Sequence, residues 1–286
     1  MQVIYWNEVI ETYKRGEVLS VLKGKSLAVT VGSFDGLHLG HKALVETLLK
    51  NAKQKGLARC AVTFVRPTRA KKNGFYAGDI LSLDLKLKMF KDLNFDFLIL
   101  IDFSTNFATM SGEKFFEILV KTIHMKSLFV GQDFACGFRH STRVKDIENI
   151  SETYAFSFDS IECVKVNGLD ISSSSIRNAV KKGNFAKANK LLGYSFLLDL
   201  SNVGFEQVSQ NELKASTADF SQVLPDSGEY EVELFTSDGF KQKMSCTFTS
   251  EFVLLRDKPL RQNTSSDRKG ALKSLFGKKL KYLKFS

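Results

Sequence analysis

Proline is almost missing from this chain. Only three occur in 286 residues, at positions 67, 225 and 259, so any motif that needs a proline can be checked at three places. Cysteine is equally thin. Cys60, Cys136, Cys163 and Cys246 stand far apart, which excludes a CxxC metal or redox pair and reads as free thiols in a reducing compartment. Long apolar runs are lacking too. The most apolar stretch, FLILI at 97–101, is far too short to span a bilayer. The opening MQVIYWNEVIETYKRGE has no basic segment followed by an apolar one, so no signal peptide is expected. These absences together predict a soluble, cytoplasmic protein with no membrane partner.

What is present is ordinary globular composition, 43% hydrophobic and 25% charged, with 25 phenylalanines. The length suits one large domain or two of common size. The net charge of +10 is uneven. From Arg256 to Ser286 there are ten Lys or Arg against two Asp, which leaves an excess of only two for the first 255 residues. Nucleic acid is therefore not the expected partner of the main body. The basic tail, RKGALKSLFGKKLKYLKFS, has Leu272, Leu275, Phe276, Leu280 and Leu283 at spacings that predict a terminal helix docked by its apolar side.

The first two-thirds alternate strand and helix signals. Leu27–Val31, Cys60–Phe64, Phe97–Ile101 and Leu128–Val130 read as strands. Helices are expected from His41, over 83–93, and over 112–123, where Phe116, Leu119, Val120 and Ile123 share a stripe. Strands separated by such helices imply βαβ units and a parallel sheet. A helical pair follows Asp170, with serines suited to an N-cap and Gly183 and Gly193 suited to helix ends. After that the texture becomes β-rich: Tyr230, Val232 and Leu234 alternate, SDG at 237–239 marks a turn, and Met244, Cys246 and Phe248 share a face. The expected domains are 1–195, α/β with a Rossmann-like parallel sheet, and 196–286, a smaller β-rich domain. Residues 262–270 read as loop.

Histidine is scarce, yet two of the four sit three residues apart in AVTVGSFDGLHLGHKALVETLLK. Read as strand, glycine turn and helix, this stretch puts His38 and His41 beside a helix N-terminus, whose unpaired N–H groups and dipole favour an anion. Gly32 and Gly36 allow the tight turn, and Gly40 keeps that face open. Two imidazoles there suit a phosphate that gains charge in a transition state. The plainer alternatives are a metal pair, for which no third ligand stands nearby, and two surface histidines in a turn.

The string VGSFDGLHLGH resembles the first motif of the prokaryotic bifunctional riboflavin kinase/FAD synthetase family, HxGH-type nucleotidyltransferases. GQDFACG (131–137) resembles its G-x-[D/N]-F-x-F-G segment, and ISSSSIRNAVKKGNFAKANKLLG (171–193) its ISSTxIR helix and the helix behind it. The resemblance covers residues 15–195. It implies transfer of AMP from ATP to FMN, giving FAD and pyrophosphate, with Mg²⁺ assisting. It implies that His38, His41 and Arg177 act on the phosphates, that Gly32, Phe34, Asp35, Gly36, Gly40, Ser172, Ser173, Ser174 and Ser175 bind nucleotide, and that Thr63, Phe64, Pro67, Asp133 and Phe134 line the flavin side. Asp133 is expected near the flavin phosphate or the metal.

Two departures qualify the match. TFVRPTR (63–69) stands where the family has TFxPHP, and Cys136 replaces the usual aromatic in GQDFACG. LPDSGEYEVELFTSDG (224–239) resembles a later hairpin of the family's kinase barrel, but none of the three prolines sits in its Pro-Thr-Ala-Asn motif. The second domain is therefore expected to be a degenerate kinase-like barrel without riboflavin kinase activity. The alternatives are a related transferase with another phosphorylated acceptor and a non-catalytic flavin- or nucleotide-binding regulator.

Overall fold

A computed structural model describes residues 1–65, 78–102, 105–162, 165–166, 169–209, 211–257 and 279–286. The chain forms two compact units: Met1–Tyr76 with Lys86–Ile171, and Ala77–Leu85 with Ser172–Ser286. The boundary expected at 195/196 falls inside the second unit, after the helical pair.

The first unit runs β1 (Gln2–Tyr5), α1 (Trp6–Lys14), β2 (Leu27–Val31), α2 (Leu39–Lys55), β3 (Ala58–Phe64), α3 (Leu83–Asp92, counted here from Lys86), β4 (Phe97–Ile101), α4 (Thr105–Ala108), α5 (Gly112–Ile123) and β5 (Met125–Gly131). Then come the short pair β6 (Ala135–Cys136) and β7 (Thr142–Arg143), α6 (Val144–Tyr154), β8 (Ser157–Ile161), and a second short pair, β9 (Lys165–Val166) and β10 (Leu169–Asp170). Six strands form one sheet in the order β1-β4-β3-β2-β5-β8, and every pairing is parallel. β2 and β4 are buried at every position, which is why LAVTV and FLILI read as near-continuous apolar runs rather than alternating ones.

Helix ends follow the local chemistry. The Ser111 hydroxyl accepts from the Lys114 N–H at the start of α5, and Gly56 ends α2 in the left-handed region. α5 buries Phe115, Phe116, Leu119 and Ile123 in the core, each contributing about 1.5–3 kcal/mol. Val120 of the expected stripe is only partly buried, at the margin of the same cluster.

The topology matters more than the packing. From β2 the chain steps to β3 and β4 on one side, and later returns to lay β5 on the other. The strand order thus reverses between β2 and β5. In open α/β sheets this switch point, at the carboxyl ends of the strands, is where ligands bind.

The second unit contains α7 (Ser173–Lys181), α8 (Phe185–Leu192) and β11 (Leu197–Asp199), β12 (Glu206–Ser209), β13 (Glu212–Ser216), β14 (Gly228–Thr236), β15 (Lys241–Phe248), β16 (Phe252–Asp257) and β17 (Leu280–Phe285). These strands form one curled antiparallel sheet in the order β11-β17-β14-β15-β16-β13-β12. The expected hairpin is β14–β15, with Tyr230 opposite Cys246 and Val232 opposite Met244. Phe185 of α8 stacks on Phe285 at 4.2 Å between centroids, and Phe196 and Phe248 complete the aromatic core. Gln222 ties this unit together. Its Oε1 accepts from the Asp199 N–H at 2.7 Å, and its Nε2 donates to the Ile80 and Leu197 carbonyls at 2.9 and 2.8 Å.

One expectation fails here. The end of the basic tail is not a helix: Leu280–Phe285 is β17, between β11 and β14. Leu283 and Phe285 are fully buried and face Leu234 and Val232 across the ladder. Leu280 and Leu283 fit a helical spacing equally well, and only the distant partner strands decide between the two. The earlier tail positions Leu272, Leu275 and Phe276, and the expected loop at 262–270, lie outside the described residues. Among the described residues no helix is long and apolar enough to cross a membrane.

Candidate active site

The turn after β2 carries the site. Leu37 and Phe34 adopt φ of 37° and 46°, and Gly36 adopts 89°, a region that favours glycine. The turn is held by hydrogen bonds to its neighbours. Gly32 N–H donates to the Val62 carbonyl at 3.1 Å, and the Thr63 hydroxyl donates to the Ser33 carbonyl at 3.1 Å. Phe34, Asp35, Leu37 and His38 are all buried. Phe34 packs edge-on against Phe90 of α3 and against the His41 ring, with centroids 5.3 and 5.2 Å away. A side chain at Gly32 would crowd the Phe34 ring, its Cβ lying 3.2 Å from Cζ.

His38 is the N-cap of α2, and its side chain makes no capping hydrogen bond. Its ring stacks on His41, with centroids 3.7 Å apart and planes 18° apart. A Cβ at Gly40 would lie 3.3 Å from both Cε1 and Nδ1 of His38, so glycine there leaves room for the stack. The Nδ1 atoms of both rings are buried without a hydrogen-bond partner. Such orphaned polar atoms call for an explanation. The site makes both rings hard to protonate. Burial pushes the His38 pKa down to about 4, with the Asp133 carboxylate acting the other way. His41 is held well below 6.5 by burial, by His38 and by the Lys86 ammonium.

Asp133 follows β5 on the far side of the switch point, is exposed, and acts electrostatically on His38. The sheet order thus brings together two segments that lie far apart in the sequence. Phe134 is half-buried against the first unit's core. Thr63 is fully buried and its hydroxyl is committed to Ser33. Phe64 is half-buried and packs on Phe107 at 5.8 Å. Pro67, with the rest of the altered TFVRPTR segment beyond Val65, lies outside the described residues.

The remaining expected residues belong to the second unit. Ser172 caps α7, its hydroxyl accepting from Ser175 N–H at 3.2 Å, while the Ser175 hydroxyl donates to the Ser172 carbonyl at 2.8 Å. Two of the four serines therefore serve the helix cap. Ser174 is exposed and Ser173 half-buried. Arg177 Nε donates to the Gly78 carbonyl at 2.9 Å.

Lys86 is the residue that sequence reasoning missed. It is 3% exposed, and its ammonium donates to the Ser33 carbonyl at 3.0 Å and the Phe64 carbonyl at 3.4 Å. The signal was present: Lys86 and Phe90 are an i,i+4 pair on the buried stripe of α3. In LDLKLKMFKDL a lysine next to another at 88 passes for solvent-facing.

A parallel α/β sheet with a glycine turn and a histidine pair at a helix N-terminus, set at its switch point, defines a nucleotidyltransferase-type protein. Residues 22–175 match the FAD synthetase family model, and the chain belongs to that family. The bifunctional riboflavin kinase/FMN adenylyltransferase of Buchnera aphidicola subsp. Schizaphis graminum is 27% identical over 232 residues, 79% of this chain and 71% of that one. The protein of the same description from Escherichia coli (strain K12) is 27% identical over 221 residues, 76% and 70% of the two chains. A crystal structure described as a macrolide-efflux protein from Streptococcus pneumoniae aligns with a TM-score of 0.70 at 22% identity, over 91% of this chain and 92% of that one, and shows the fold alone.

Proposed function

We propose that this chain transfers AMP from ATP to FMN, giving FAD and pyrophosphate, and that residues 1–195 carry the reaction. The observation that supports it best is the stacked His38–His41 pair at the N-terminus of α2, whose burial disfavours the charged form, with Asp133 acting on His38 from across the switch point. An FMN phosphate oxygen attacks the α-phosphorus of ATP. The new P–O bond forms as the bond to the β-phosphate bridging oxygen breaks, and pyrophosphate leaves with that electron pair. No covalent enzyme intermediate is needed, so the protein's part is positioning and charge stabilisation.

A neutral imidazole has one N–H and one lone pair. With the lone pair on the buried Nδ1, each ring offers Nε2–H as a donor to phosphate oxygens, alongside the N–H groups that open α2. These donors are fixed before the reaction, which is the condition for electrostatic stabilisation. Gly32, Phe34, Asp35, Gly36 and Gly40 shape this nucleotide side. Mg²⁺ commonly takes one or two carboxylates and completes its shell with substrate phosphates and water. The carboxylate of Asp133 fits that pattern, and the ion would supply charge neutralisation at the phosphates. The roles of Arg177 and Ser172–Ser175 at the phosphates, and of Thr63, Phe64, Pro67 and Phe134 at the flavin, rest on their motifs. The commitments of Thr63 to Ser33 and of Ser172 and Ser175 to the cap favour structural support for those three.

The test is incubation of purified protein with ATP, Mg²⁺ and FMN, following FAD and pyrophosphate, with His41→Ala beside the wild type. Absence of FAD while FMN still binds would replace this reading with a flavin-binding regulator. The altered TFVRPTR segment keeps a second reading in view, another phosphorylated acceptor, which turnover with such an acceptor but not with FMN would establish. The second unit adds no riboflavin phosphorylation in this reading, because the chain has no Pro-Thr-Ala-Asn string. FMN formed from riboflavin and ATP would overturn that part.

A further inference from the structure

Lys86 is buried beneath the catalytic turn. A buried ammonium is costly unless it is hydrogen-bonded, and Lys86 donates to two carbonyls at the carboxyl ends of neighbouring strands. Ser33 follows β2 and Phe64 ends β3. Ser33 is the residue before Phe34, the first of the positive-φ positions that lead into His38. Non-glycine residues in that region cost about 1–3 kcal/mol each and persist only where the surroundings over-determine them. Here α3 supplies the restraint twice: Lys86 holds the carbonyl before the turn, and Phe90 packs on the Phe34 ring that in turn touches His41.

We propose that Lys86 is a positioning residue of the adenylyl-transfer site, fixing through the Ser33 and Phe64 carbonyls the turn that presents His38 and His41. The proposal rests on the functional reading above. The same ammonium has an electrostatic effect. Burial does most to keep a proton off His41, and the titratable groups that act on it are His38 on α2 and Lys86 on α3. Both oppose a proton on that ring, so Lys86 adds to the burial that keeps it uncharged.

Lys86→Met removes both the charge and the hydrogen bonds at similar volume. Lys86→Gln keeps a donor but removes the charge, and serves as the second variant if the first does not fold. Two measurements on the full chain decide the matter: steady-state FAD formation, and the pH titration of the His41 ring by NMR without substrate. Lys86→Met is expected to lower kcat about 10- to 100-fold, with the KM for ATP changed much less, as misplacement near a reacting centre does. In both variants the His41 titration should move to higher pH. In Lys86→Gln the kcat should fall between those of the wild type and Lys86→Met. A folded Lys86→Met protein with wild-type kcat, or a His41 titration that stays where it was, overturns the proposal. So does a lower melting temperature with kcat unchanged, which would make Lys86 merely structural. A wild type that makes no FAD sinks the functional reading instead, and the NMR titration still decides whether Lys86 acts on His41.

Discussion

Gln222 in the second unit and the His38–His41 pair in the first are both buried polar groups, and they are treated in opposite ways. Gln222 spends its acceptor and both amide hydrogens on three backbone groups, two on β11 and one at Ile80. The histidines leave both Nδ1 atoms buried and unpartnered, and they sit on a helix start with no capping bond. A satisfied buried amide fixes one conformation and strengthens the fold. An unsatisfied buried pair lowers stability and calls for an explanation other than folding. The contrast agrees with the chemistry proposed for the first unit, and it can be attacked from either side.

The largest effect should come from His41→Ala. The rate of FAD formation should fall about 10²- to 10³-fold, about 2.7–4 kcal/mol by analogy with loss of one oxyanion donor. Steady-state assays check this, and a rate within twofold of wild type would remove the ring from the mechanism. Gln222→Ala should do the reverse. It strands an N–H and two carbonyls, so it should destabilise the protein by about 3 kcal/mol, read by denaturant unfolding. If stability holds, the amide is not the tie described.

Third is pH. The folded-state pKa of His38, about 4, is below its ordinary 6.5. The unfolded chain therefore binds the proton more readily between these values, and stability is full above pH 6.5. It falls as pH drops from 6.5 towards 4, by up to about 3 kcal/mol for this one group. His38→Gln should flatten that part of the stability–pH curve. An identical slope in the variant would refute the assignment. Smallest is Gly40→Ala. Alanine gains about 0.5–1 kcal/mol of helix preference, but its Cβ displaces the His38 ring by a few tenths of an ångström. The melting temperature should rise slightly while kcat drops a few-fold, and calorimetry beside kinetics shows whether the two part company.

Much of the first unit could be read directly. Leu27–Val31, Phe97–Ile101 and the helix over 112–123 match the expected elements because their apolar periodicity is local and strong. The β14–β15 hairpin was equally plain, since its alternation and SDG turn lie within one stretch. The tail was misread because LKYLKF suits either period, and its partners lie far away in sequence. Lys86 was passed over because residue type argued for solvent, whereas the α3 stripe argued for burial.

By itself the sequence determined that a strand, a glycine turn and a helix would put two histidines at an anion-attracting helix start, because backbone geometry over eleven residues needs no distant partner. The family motifs added what that arrangement acts upon. Only the tertiary structure decided that the strand order reverses between β2 and β5, so that Asp133 acts on His38. It also decided that the rings stack with Nδ1 sealed, and that an ammonium lies beneath them. Each of those is a matter of packing between remote segments, and burial sets both the charge state of the rings and the need for partners.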